Sequence, residues 1–121
     1  MSISKKIVGG VAALALVSGG ASVALAATPS LCPSSKVCLF DRADYTSLMG
    51  YRSGGYGLAN ISPTNNDRMS SWANKSSSHG AWYMHANGQG SCQNMNAGAR
   101  VAYVGFWFND EASSWRTNGP C

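Results

Sequence analysis

Charge is scarce in this chain: Asp, Glu, Lys and Arg make up 12% of its 121 residues, nine of them basic and five acidic. The basic residues Lys36, Arg42, Arg52, Arg68, Lys75, Arg100 and Arg116 stand singly. A clustered stripe that could follow a phosphate backbone is therefore missing, and nucleic acid is not an expected partner. No Gly-x-Ser-x-Gly nucleophile elbow occurs, and neither His79 nor His85 has a recognisable partner for acid-base work, so a hydrolase reading finds no support. No C-x-x-C pair occurs either, and the two histidines do not complete a finger spacing, which argues against structural zinc. Helical periodicity is absent as well, which leaves strands and turns.

The long uncharged run that the chain does have lies at residues 7–26, directly after Lys5 and Lys6. A basic start, an apolar middle and the small-x-small ending Ala24-Leu25-Ala26 read as an export signal over residues 1–26. A membrane anchor is the competing reading, since about twenty apolar residues could span a bilayer. The Gly19-Gly20 pair and the cleavage pattern oppose it. The expected product is a secreted, monomeric domain over residues 27–121, free of the membrane after cleavage and only slightly positive.

A domain of that size has a thin margin of buried apolar surface, so covalent staples are expected. Cys32, Cys38, Cys92 and Cys121 all fall in the exported part, an even count in an oxidising compartment. Three pairings of four cysteines exist in principle; the near pair Cys32–Cys38, leaving Cys92 with Cys121, is the expected one.

A repeat sets the architecture. Asn66-Asp67-Arg68-Met69-Ser70-Ser71-Trp72 recurs as Asn109-Asp110-Glu111-Ala112-Ser113-Ser114-Trp115, an offset of 43 residues that also pairs Phe40 with Tyr83. Two copies follow, at about residues 36–76 and 79–119. Each reads as four short strands parted by turn residues. First strands are expected at residues 37–41 and 81–85, each followed by a folded hairpin; second strands at 47–52 and 91–95; third strands at 58–61 and 100–105; last strands at 71–74 and 114–117. Four strands in about forty residues is the measure of a Greek key, and two such units can pack as an all-β sandwich. Trp72 and Trp115 are the expected core anchors.

The twice-occurring pattern N/D-N/D-x-x-S/T-S, present as Asn66-Asp67-x-x-Ser70-Ser71 and Asn109-Asp110-x-x-Ser113-Ser114, resembles the microbial βγ-crystallins. Their aromatic-x4-aromatic-x-Gly hairpin is kept in part. Phe40 and Tyr45 are followed by Ser47 in place of the glycine, while Tyr83 is followed by Gly88 and Gly90 without the second aromatic. The resemblance implies a βγ-crystallin-like sandwich and a double calcium clamp, each of its two sites shared between the copies. Carboxylates, amides, hydroxyls and carbonyls are the oxygens a hard cation takes. Carried over, Asp67, Ser70, Asp110 and Ser113 would be ligands together with hairpin carbonyls near Asp41 and Met84, and Asn66, Ser71, Asn109 and Ser114 would orient them. With one or two carboxylates per ion and Arg68 inside one segment, a dissociation constant of about 10⁻⁵ to 10⁻³ M is expected. The competing reading is that these residues only cap turns.

From Cys32-Pro33 through Val37-Cys38-Leu39-Phe40 to the Asn-Asp-x-x-Ser-Ser-Trp segment, the chain is similar to the secreted bacterial metalloproteinase inhibitors with a crystallin-like fold. That similarity implies a secreted protease as partner and no enzymatic activity. In that family closely spaced cysteines in the second half bracket the reactive loop, whereas Cys92 and Cys121 stand far apart here. The stretch between Cys32 and Cys38 is then the candidate inhibitory loop, presenting the bond Lys36–Val37; a plain N-terminal staple is its rival. A calcium-stabilised structural or antimicrobial module without a protease target is the alternative function.

Overall fold

The computed structural model describes residues 26–121; the expected export signal lies outside this range apart from Ala26. Eight strands form: β1 Lys36–Arg42, β2 Thr46–Ser53, β3 Ala59–Asn60, β4 Ser71–Asn74, β5 Gly80–Tyr83, β6 Cys92–Met95, β7 Arg100–Val101 and β8 Ser114–Arg116. A single 3-10 turn, Ala86–Gly88, interrupts the β5–β6 hairpin. The strands make two four-stranded antiparallel sheets, in the orders β2-β1-β4-β7 and β3-β8-β5-β6. Both expected disulfides are present, Cys32–Cys38 and Cys92–Cys121.

The third strand of each copy crosses over. β3 leaves its own copy to pair with β8, Ala59 opposite Trp115, and β7 returns the exchange by pairing with β4, Trp72 opposite Val101. Each sheet is thus completed by the other copy, so neither half closes its core alone. The crossing also explains why the third strands are only two residues long where longer ones were expected at 58–61 and 100–105: each reaches the edge of the opposite sheet and then enters the polar segment.

Between the sheets lie Val37, Leu39, Met69, Trp72, Trp82, Met95, Ala112 and Trp115. The anchors Trp72 and Trp115 are 5% and 6% exposed. A second cluster, Cys32, Cys38, Phe40, Tyr45 and Ala73, covers the outer face of the first sheet. β1 is therefore buried on both faces, and its run Val37-Cys38-Leu39-Phe40 is apolar throughout instead of alternating. The Cys32–Cys38 staple holds the N-terminal segment over that outer face.

The hairpins are folded alike. Asp44, Tyr45 and Ser47 have φ of 58°, 60° and 57°, and Asn87, Gly88 and Gly90, 43 positions on, have 59°, 70° and 78°. Ser47 accordingly adopts the left-handed conformation that the crystallin pattern gives to glycine. The missing second aromatic has a packing cause: a Cβ on Gly88 would already lie 3.0 Å from Leu58 Cδ2. In the first copy that place belongs to Tyr45, packed edge-on against Phe40 at 5.8 Å.

Candidate functional site

The two polar segments face each other and are tied by reciprocal backbone bonds. The Asp67 N–H donates to the Ala112 carbonyl and the Asp110 N–H to the Met69 carbonyl, both at 3.0 Å. Asp67 and Asp110 share φ values of 60° and 61°, the left-handed region that Asp tolerates. Each segment is also bound to its own first strand. Ser70 N–H donates to the Phe40 carbonyl and Ser113 N–H to the Tyr83 carbonyl, both at 2.9 Å.

The second serine of each segment is committed to its hairpin. Ser71 Oγ donates to the Arg42 carbonyl at 2.6 Å and accepts from the Tyr45 N–H at 3.1 Å. Ser114 Oγ repeats this with the His85 carbonyl at 2.7 Å and the Gly88 N–H at 2.9 Å. Both serines are fully buried. Each hydroxyl thereby locks its folded turn.

The first serines reach across to the other copy, and here the symmetry breaks. Ser113 Oγ donates to Asp67 Oδ1 at 3.0 Å, whereas Ser70 Oγ donates to Asn109 Oδ1 at 2.6 Å. Asp67, Asp110 and Asn66 are solvent-exposed, and Asn109 is half-buried. Beside Ser70, Asp41 forms a salt bridge with Arg68 at 2.5 Å. The Asp41 carboxylate, helped by the charge of Asp110, raises the Arg68 pKa above its already high ordinary value. Met84, the counterpart of Asp41, packs its side chain against the core and donates its N–H to the Ser91 carbonyl at 3.0 Å.

The structure therefore pairs Ser70 with Asn109 and Ser113 with Asp67, and pairs Asp41 with Arg68, two residues before Ser70 in the chain. Among the described residues no set of three or more His, Cys, Asp and Glu is close enough to hold a metal ion. Trp82 Nε1, a donor, is the one buried side-chain nitrogen or oxygen without a partner among them, so no orphaned oxygen awaits a cation. The donors that remain are hydroxyl, carboxylate and carbonyl oxygens, chemistry that suits calcium and no softer metal. Ser113 and Asp67 bring one hydroxyl and one carboxylate, fewer than the about six to eight oxygens that calcium takes. In the first segment Arg68 brings a positive charge, held on Asp41.

Lys36 and Val37 do not stand in a presented loop. They open β1, where Val37 is fully buried and has Arg52 and Asn74 as its partners on either side. Lys36 Nζ donates to Ser53 Oγ at 2.7 Å. A cleft could take up the Lys36–Val37 bond only after β1 was unzipped from both neighbours. Both histidines are exposed, and His79 Nδ1 accepts the Ala97 N–H at 3.0 Å.

A different segment stands out. Phe106 and Trp107, in the connection from β7 to β8, are 79% and 81% exposed. The expected third strand stopped at residue 105 and left these two aromatics without a role. The repeat offset carried the signal, because the matching positions hold Pro63 and Thr64.

Two crossed four-stranded sheets with tied polar segments define a βγ-crystallin domain, and solved structures agree. A βγ-crystallin domain from Flavobacterium johnsoniae superposes with a TM-score of 0.55 at 22% identity, covering 70% of this chain and 98% of that one. A double mutant of a βγ-crystallin domain from Clostridium beijerinckii gives 0.55 at 24% identity, covering 69% and 96%. The βγ-crystallin from Ciona intestinalis gives 0.57 at 17%, covering 69% and 99%. No curated protein matches the chain. The sequence pattern of peptidase inhibitor family I36 matches residues 25–95, more than half of the chain, and the chain belongs to that family. It is thus an inhibitor with a crystallin fold and not an enzyme, and its partner is a peptidase.

Proposed function

We propose that this protein is exported by residues 1–26, acts outside the cell as a monomer, and inhibits metalloproteases by placing a rigid segment in the protease cleft. Family membership is the observation that carries this reading. The physical support is stiffness. Two disulfides, two exchanged strands and hairpins locked by Ser71 and Ser114 leave little chain entropy to lose when the body docks.

Calcium would act on the same body as a clamp between the copies. Asp67 and Ser113 with the carbonyl of Met84 would hold it, and the ion would supply charge that keeps the facing segments together. In the other group Arg68 supplies a positive charge of its own beside Asp41. Asp110, Ser70 and Asn109 complete that second group.

The test is a panel of metallo-, serine and cysteine proteases titrated with the mature protein, with and without calcium. Stoichiometric suppression of thermolysin-like activity at about micromolar concentration or below is the expected result. No suppression at large excess would remove the metalloprotease target and leave a calcium-stabilised structural or antimicrobial module.

A further inference from the structure

The turn at residues 105–108 carries two large aromatics almost wholly in water. Buried aromatics are a main source of stability in a small core, and this domain forgoes it by leaving both side chains outside. The fold does not require them there. In the first copy the same turn is built with Pro63 and Thr64, and its bonds match one for one. Asn66 N–H donates to the Ser62 carbonyl as Asn109 N–H does to Gly105, each at 2.9 Å, and Ile61 N–H donates to Ser113 as Val104 N–H does to Ser70, each at 2.9 Å. The copies differ at the tip and at the residue before it, where Gly105 has φ of 97° and Ser62 does not share that backbone.

The tip is also held in place. On one side Val104 is bonded to the Ser70 carbonyl; on the other Phe108 packs edge-on against Trp82 at 6.0 Å. Phe106 and Trp107 rest edge-to-face at 5.3 Å. A rigid stem with an ordered aromatic tip binds at low entropic cost, and Trp in particular dominates the energetics of contact surfaces. The segment lies beyond residues 25–95, the part described by the family pattern.

We propose that Phe106 and Trp107 are the principal docking element of this inhibitor and enter an apolar pocket beside the catalytic centre of the target peptidase. The proposal rests on the protease reading above. A convex tip complements a cleft. A lipid surface fits less well, because no basic residue lies within residues 101–110 and only Phe108 and Asn109 separate the tip from Asp110 and Glu111; interfacial segments pair aromatics with Lys and Arg.

The experiment transplants the first copy's turn into the second as Phe106→Pro with Trp107→Thr in the mature, disulfide-bonded protein. The first copy carries Pro-Thr in a turn with the same backbone bonds, so the melting temperature should stay within about 3 °C of the parent. Phe106→Ser with Trp107→Thr, which asks nothing of the backbone at Gly105, is the second variant should the proline strain the turn. Inhibition of the peptidase most sensitive in the panel should weaken about a hundredfold or more, the loss of two anchoring aromatics. In the parent, Trp107 fluorescence should become shielded from acrylamide in the complex. A variant that folds and inhibits as well as the parent would overturn the docking role while leaving the protease reading intact. If the parent inhibits no peptidase, both fall together. A parent dimer that the variant abolishes, or binding to phosphatidylcholine vesicles lost in the variant without change in inhibition, would instead assign the tip to self-association or to lipid and overturn the proposal.

Discussion

Arg68 and Asp41 form the one salt bridge among the described residues, and the positions 43 residues on hold Glu111 and Met84, which cannot form its equivalent. The exposed pair adds little to stability, but it divides two otherwise matched sites. One group has a positive charge built in; the counterpart of that charge in the other copy is an acid. Calcium is therefore expected to bind once per chain, with a dissociation constant of about 10⁻⁵ to 10⁻³ M. Asp67→Ala should abolish that binding in calorimetry, and Arg68→Ala should add a second, weaker site. A melting curve unchanged by calcium or by chelation would reduce both segments to turn caps.

The hydroxyls of Ser71 and Ser114 each serve a carbonyl and an N–H that are folded away from water. Replacing either by Ala leaves those backbone groups unpaired, a loss of about 1 to 3 kcal/mol in urea unfolding. Ser113→Ala should cost less, because its partner Asp67 is exposed and can turn to solvent. Equal losses at both serines of one segment would show that the hairpin lock is not special.

Much of the fold was legible because one offset governs it. Trp72 with Trp115 and Phe40 with Tyr83 placed the first and last strands within a residue or two of where they lie. The strand exchange was not legible: Ala59 and Val101 look alike whether their strands close their own sheet or the neighbouring one, and pairing across copies leaves no local trace. Burial on both faces of β1 was hidden for a related reason. Val37 reads as a core residue in any sheet, but that the N-terminal segment covers Cys38 and Phe40 depends on where Cys32 returns in space. The polar segments were found by residue type, yet the division of labour between Ser70 and Ser71 depends on which hydroxyl points inward. Phe106 and Trp107 would have passed for core in any composition argument. Only their mismatch with Pro63 and Thr64 marks them.

The two hairpins offer a reciprocal test of backbone strain. Ser47 holds φ at 57°, a conformation that costs an L-residue about 1 to 2 kcal/mol, so Ser47→Gly should be neutral or stabilising by up to about 1 kcal/mol after the entropy of glycine is counted. The reverse change at the matching position is less benign. At Gly90 a Cβ would lie 2.5 Å from His85 Cδ2 on top of a φ of 78°, so Gly90→Ser should destabilise by about 1 to 3 kcal/mol. Adding His85→Ala removes the clash but not the torsional strain. Partial recovery in the double variant separates the two; full recovery would mean that the left-handed backbone costs nothing here.

The disulfides differ in burial and in the length of chain they close, and the two differences pull in opposite directions. Cys92–Cys121 spans 29 residues and Cys32–Cys38 spans 6, so loop entropy assigns about 3 to 4 kcal/mol to the first and about 2 to the second. Exposure reverses the order of attack. Cys121 is exposed and Cys92 half-buried, while Cys32 and Cys38 are sealed in the outer cluster against Phe40 and Tyr45. Thiol exchange requires access to a sulfur, so mild reduction should open Cys92–Cys121 first, and alkylation followed by mass analysis should find label on Cys92 and Cys121 while the near pair remains closed. Because the long bridge also carries most of the loop entropy, its early loss should lower the melting temperature before any label reaches Cys38. Simultaneous labelling of all four cysteines would show that the outer cluster opens as readily as the C-terminus, and that the N-terminal staple is not buried in solution.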